Sequence, residues 1–123
     1  MSNWQKLEYL GKEFQPFSVR LDYCDEFVNF RDMYGMDDDE EWVNKTEKEI
    51  EEGYRYWVIL RAKVYLAGVE VGSHSLGGLL FDNTEQMEGM MATDYEGIIA
   101  EAVANAKHNL KQMGEAMNQQ AVA

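Results

Sequence analysis

The chain holds very little of what staples, breaks or activates a small protein. It has one cysteine, Cys24, so an intrachain disulfide and a four-cysteine zinc site are both excluded. It has one proline, Pro16, which favours extended chain just before it. Two histidines, His74 and His108, are the only imidazole bases on offer. No apolar run is long enough to cross a bilayer, because the longest, around 57–66, is interrupted by Arg61 and Lys63. The opening Met1-Ser2-Asn3-Trp4 lacks the basic segment and apolar run of a secretory signal, so a cytoplasmic location is expected. No internal repeat stands out. Bases are scarce too: 11 Lys and Arg face 23 Asp and Glu, a net charge of −12.

What is present describes one folded domain, 1–123. A chain of 123 residues is too small for two good cores. With 46% hydrophobic and 28% charged residues it has the balance of a globular protein, and its 12% aromatics supply large burial areas. The acidic field repels nucleic acid and anionic membranes and draws basic surfaces in. The charge is concentrated. From Asp22 to Glu52 thirteen acids meet three bases, a net −10, and the remaining residues carry only −2.

The periodicities predict the order α-β-α-α-β-β-α. Ser2 caps a short amphipathic helix with Trp4, Leu7 and Leu10 on one face, ended by Gly11. Phe17, Val19, Leu21 and Tyr23 alternate with polar residues, which is a half-buried strand. A helix is expected over 25–34, with Phe27, Phe30 and Tyr34 on one stripe. A second should open on the carboxylates 37–41 and run to about Glu52 before Gly53, with Trp42, Val43 and Ile50 inward. Glu41 with Lys45, and Lys48 with Glu52, are spaced to support it.

The stretches 54–66 and 69–81 read as a long hairpin turning at Ala67-Gly68. That turn pairs Leu66 with Val69, Val64 with Val71, Ala62 with Ser73 and Leu60 with Ser75. It sets Arg61 opposite His74 and Trp57 opposite Gly78 on the other face. A loop over 82–94 carries Met87, Met90 and Met91. Thr93 and Glu96 form a capping box for a last helix reaching about Met117, and 118–123 is expected to fray. The expected fold class is α+β: a two-layer sandwich, with a three-stranded antiparallel sheet and helices packed on one face.

Several chemistries fail on spacing. A calcium loop starting at Asp37 needs glycine sixth and glutamate twelfth, but Trp42 and Lys48 stand there. Neither Ser73 nor Ser75 sits in a glycine-flanked elbow, and a strand turns His74 away from both. Cys24 reads as a small packed side chain. Gly72, Gly77 and Gly78 lack the helix and lysine of a phosphate loop. No catalytic residue, metal or cofactor is therefore expected.

The hairpin Val64–Gly72 followed by 100–110 is similar in topology to the end of a double-stranded-RNA-binding domain. Such domains place lysines at the start of that helix; here Asp94, Glu96 and Glu101 stand instead, which removes the phosphate contacts. In size and charge alone, the chain resembles the small acidic proteins that phages and mobile elements direct against host nucleases, the anti-CRISPR and anti-restriction proteins. That resemblance implies a non-enzymatic inhibitor or regulator. It would dock on a basic protein surface, that of a nucleic-acid-binding enzyme or complex, with carboxylates in place of phosphates. The residues for this role are Tyr34, Asp37, Asp38, Asp39, Glu40, Glu41, Trp42, Glu47 and Glu51, the two aromatics as anchors. Arg61, Lys63 and His74 are expected to form a small basic patch on the open sheet face. The alternative is a small adaptor or oligomeric scaffold, homodimers included, using the open sheet face through Trp57 or Ile59, or the Met-rich loop through Met90.

Overall fold

Four strands, not three, form the sheet: β1 (Gln5–Leu10), β2 (Ser18–Asp25), β3 (Tyr56–Leu66) and β4 (Val69–Phe81), antiparallel and in sequence order. The computed structural model describes residues 4–10, 14–34, 39–93 and 97–122. Asp37, Asp38 and the capping-box residue Glu96 lie outside them.

The extra strand replaces the expected first helix. Trp4, Leu7 and Leu10 are three apart, which imitates a helical stripe. The pairing is Lys6 with Asp22 and then Glu8 with Leu21, so Leu7 is an additional residue in the ladder. The stripe does not share one face: Leu7 packs on the main core, and Trp4 lies on the other face over Arg61.

Helix α1 (Phe30–Tyr34) is shorter than expected, because β2 extends to Asp25 and pairs it with Val58. Asn29 supplies the start: its Oδ1 accepts the Arg31 N–H at 2.9 Å. Phe27, expected on the inner stripe, is 87% exposed. Helix α2 (Glu40–Glu51) begins at Asp39, whose Oδ1 accepts the Glu41 N–H at 2.9 Å. It ends as expected at Gly53, where φ is +83°. The Tyr54 N–H reaches the Glu49 carbonyl and the Gly53 N–H the Ile50 carbonyl, satisfying the last turn.

The hairpin turns at Ala67 and Gly68, both with positive φ, as a two-residue turn requires. Leu66 pairs with Val69 as expected, but the rest of the register is corrected. Tyr65 pairs with Glu70 and Val64 with Gly72, so Val71 bulges and the pairs from Val64 to Leu60 move by one. Ala62 then faces His74, Arg61 faces Ser75 and Leu60 faces Leu76. A second irregularity at Ile59 sets Trp57 opposite Leu80. The first bulge leaves Gly72, with no side chain, under the last helix. A Cβ there would lie 2.5 Å from the Ala106 backbone nitrogen.

The segment expected as a Met loop is helix α3 (Thr84–Thr93), started by Asn83 accepting the Gln86 N–H. The last helix, α4 (Ile98–Val122), continues through the tail expected to fray. Helices cover both faces of the sheet, which corrects the one-sided, two-layer picture. On one face Val19, Leu21, Val58, Leu60, Ala62 and Val64 meet Met87 of α3 and Ile98, Ile99, Ala102 and Ala106 of α4. Burying each such Leu or Ile stabilises by roughly 1.5–3 kcal/mol. Trp57 precedes Val58 and so points to the other face. There it packs with Phe30 of α1 and Val43 of α2, with Tyr34, Ile50 and Leu80 around them.

Candidate partner-binding surface

Helix α2 is amphipathic, so burying Val43 and Thr46 turns its carboxylates outward. Glu40, Glu41 and Glu51 are exposed, and among the described residues they make no ion pair. The expected Glu41–Lys45 pair is not formed, whereas Lys48 and Glu52 meet at 4.0 Å. Asp39 is exposed but committed as the N-cap.

Other acids of the −10 segment are used internally. Glu47 bonds the Arg31 Nε at 3.1 Å, and Arg31 also reaches Asn44. This places a cation midway along the α2 face. Glu49 and Asp82 share Arg55 at 3.2 and 3.0 Å. Glu26 accepts the N–H groups of Gly78 and Val28. Asp22 is wholly buried, with its two oxygens held by the Arg61 Nε and Nη2 at 2.9 and 2.7 Å. Among the described residues of α2, the carboxylates that make no ion pair therefore fall into two groups, Asp39–Glu41 at the first turn and Glu51 at the last.

The two candidate anchors differ. Tyr34 is half-buried in a ring cluster, 5.2 Å from Phe30 and 5.7 Å from Trp57, with its hydroxyl 3.5 Å from the Gly78 carbonyl. That makes it part of the packing. Trp42 packs an edge on Phe30 and Tyr34 but keeps 39% of its surface exposed beside Glu41. Trp42 is the anchor that α2 presents to solvent.

The basic patch loses His74, which the register change carries to the α4 face with Ala62. On the face away from α4, Arg61 and Lys63 remain and are joined by Arg20, the ladder partner of Lys63. Arg61 is locked to Asp22 under the Trp4 ring, 3.6 Å from its centroid, and Lys63 lies 3.4 Å from Glu70. Arg20 sits 3.6 Å from Asp22 with its Nε buried and without a hydrogen-bond partner. The expected aromatic cover of Gly78 is shared: Met33 and Trp57 both lie over it. Of the Met cluster, Met87 is fully buried and Met90 packs against the core, while the Met91 side chain lies outside what the structure describes.

Cys24 is buried, and burial pushes its thiol up from the ordinary value. The nearby Arg61 charge pulls the other way, while Asp25, Asp22 and Glu26 add to the rise. An activated nucleophile needs the opposite shift. The groove of about 460 Å³ between β4 and α4 is lined by Glu70, Val71, Ser73, Asn105 and Asn109, with no histidine or cysteine. Its asparagines do structural duty: Asn105 and Asn109 donate to the Ser73 and Val71 carbonyls at 2.8 and 3.0 Å, covering the edge of β4. Among the described residues no three His, Cys, Asp or Glu converge as a metal site, and no helix is long and apolar enough to cross a membrane.

Sequence reasoning missed two exposed apolar features. Phe27 was expected to be inward. Met113 and Met117, expected to face the core, are 59% and 69% exposed. The second was legible in principle, because the α4 stripe continues past the last residue the sheet can cover.

No protein-family model, curated protein or solved structure matches the chain.

Proposed function

We propose that the chain is a non-enzymatic binding protein that docks the α2 surface on a basic protein groove, of the kind that otherwise holds nucleic-acid phosphates. The observation that carries the reading is the first turn of α2. Asp39, Glu40 and Glu41 are exposed beside a part-exposed Trp42, and among the described residues the last two carboxylates have no cation of their own. Carboxylates left unpaired on a rigid helix lose little conformational freedom when a partner's Lys or Arg closes on them. Trp42 adds the apolar contact that dominates many interfaces. Glu51 extends the surface to the last turn. Arg31 interrupts it near Glu47, so the acids act as two clusters and not as a continuous phosphate-like row. The adaptor reading has less to stand on. Met87 and Met90 of its loop pack in the core, and Trp57 of its sheet face is buried.

The test compares the chain with its Glu40→Lys/Glu41→Lys variant as bait in a nuclease-treated lysate, each eluted by a salt gradient. The expected result is a nucleic-acid-binding protein that the parent retains, that elutes as salt rises, that added DNA displaces, and that the variant does not hold. A partner held equally by both baits refutes the reading.

A further inference from the structure

Where α2 ends, an open cavity of about 360 Å³ lies between the last turn of the helix and the start of β3. Ile50 and Gly53 line it from the helix end, Tyr56 and Trp57 give it an aromatic wall, and Asp25 and Glu26 flank it from the end of β2. Glu51 stands exposed in the same turn as Ile50, so the cavity adjoins the acidic surface of α2.

The charges around the cavity do not cancel. Arg55 is the one cation among its lining residues, and Glu49 and Asp82 bracket its Nε at 3.2 and 3.0 Å. Lys48, in the last turn, is paired with Glu52. Glu26 spends both oxygens on the N–H groups of Val28 and Gly78, which fixes its position but leaves its charge without a counter-ion. The Asp25 side chain is exposed and, among the described residues, makes neither an ion pair nor a hydrogen bond. Arg55 therefore stands against four acids, Glu49, Asp82, Asp25 and Glu26, a local net of −3. The negative end of the α2 dipole adds to that field.

The lining also says which cation fits. Among the described residues no third ligand joins Asp25 and Glu26 to hold a metal ion. An aromatic wall beside an uncommitted carboxylate suits a flat cation. A guanidinium lays its face on a ring and donates from its edge to a carboxylate, which a compact ammonium does less well. We infer that this cavity receives an arginine side chain of the partner, with the guanidinium against the Tyr56 and Trp57 wall and donating to the Asp25 carboxylate. The partner itself rests on the docking proposed for α2, and the cavity adds to it one arginine that reaches the last turn. The first-turn acids Glu40 and Glu41 take no part in the cavity, so the two ends of the surface stand or fail separately.

The test titrates the full chain with N-acetylarginine amide and with N-acetylcitrulline amide, which keeps the shape and loses the charge. Nuclear magnetic resonance reads the Gly53 and Tyr56 amides and the Trp57 indole N–H. Saturable shifts centred on those groups are expected with the arginine probe, and binding weaker by about fivefold or more with citrulline. Asp25→Asn is expected to weaken the arginine probe by a similar factor with an unchanged melting curve, because that side chain is exposed and holds nothing in place. Should the variant unfold, the comparison of the two probes on the parent chain carries the test. Glu40→Lys/Glu41→Lys is expected to leave the probe bound at the cavity. Shifts spread evenly over the exposed acids, equal affinity for the two probes, or binding that Asp25→Asn leaves intact overturns the proposal. Those outcomes leave the first turn of α2 untouched, since capture from the lysate tests it.

Discussion

Gly72→Ala is a single methyl added to a strand, and the structure makes it costly. The new Cβ would stand 2.5 Å from the nitrogen, 2.7 Å from the Cα and 2.8 Å from the Cβ of Ala106. Ordinary contact begins near 3.4 Å, so α4 and β4 must part by about 0.9 Å at their closest point. Two of the three obstructing atoms are helix backbone and cannot rotate aside. A gap of that size forfeits roughly a quarter to a half of each dispersion contact it opens. The same retreat loosens Ala102, Ile99 and Ile98, which share the helix face with Ala106. Overpacking of this kind costs about 1–3 kcal/mol, and backbone obstruction places it near the upper end. At about 4 °C per kcal/mol for a domain of this size, the melting temperature should fall by roughly 12 °C. Thermal and urea denaturation followed by circular dichroism measure it. Ala106→Gly should not rescue the variant, since the nitrogen contact remains. Gly114→Ala, in the same helix with nothing within 4 Å, should instead stabilise by about 1 kcal/mol. A loss under about 1 kcal/mol for Gly72→Ala would refute the close approach of α4 to β4.

Other perturbations probe the buried charges and the thiol. Arg61→Met removes both charge-assisted hydrogen bonds of the buried Asp22 carboxylate, leaving the Arg20 Nε at 3.6 Å, and should cost about 3–5 kcal/mol. Adding Asp22→Leu should recover most of that loss in urea denaturation; a double variant as unstable as the single one would show that the pair is not the cause. Cys24 keeps its proton in the folded state above the pH at which the unfolded chain, near 9.0, loses it. The folded protein then binds more protons than the unfolded, so stability is full below pH 9.0 and declines as pH rises through the folded value. Tyr23, raised by burial and by Tyr56 and Asp25, adds the same trend from pH 10.0 upward. Cys24→Ala should flatten the first part of that decline in stability measured against pH, and an unchanged slope would show that the thiol does not contribute.

Much of the local structure was legible because its causes are local. Gly53 and Gly68 supply positive φ where a helix and a hairpin end. The acids before Trp42 open a helix, and the alternation from Phe17 to Tyr23 makes a strand, each from a preference felt within one or two turns. Excess negative charge in 22–52 was equally plain from composition. Which of those carboxylates remain available was not. Asp22 is drawn inside by Arg61 from 39 residues away, and Glu49 is taken by Arg55, because ion pairing depends on which elements come together. The two ladder bulges at Leu7 and Val71 escaped the same reading. One extra residue changes no local preference, yet it decides the face of every side chain beyond it, and His74 changes sides for that reason. Sequence periodicity marked the α4 stripe as apolar, but only the reach of the sheet decided where its core stops and an exposed surface begins, at Met113. The sequence by itself determined β2, the hairpin, the helix that follows the acids, the last helix and the sign of the charge, but not β1 or α3. Tertiary packing decided which charges and which apolar residues were left facing solvent, because burial and pairing are properties of neighbours and not of order along the chain.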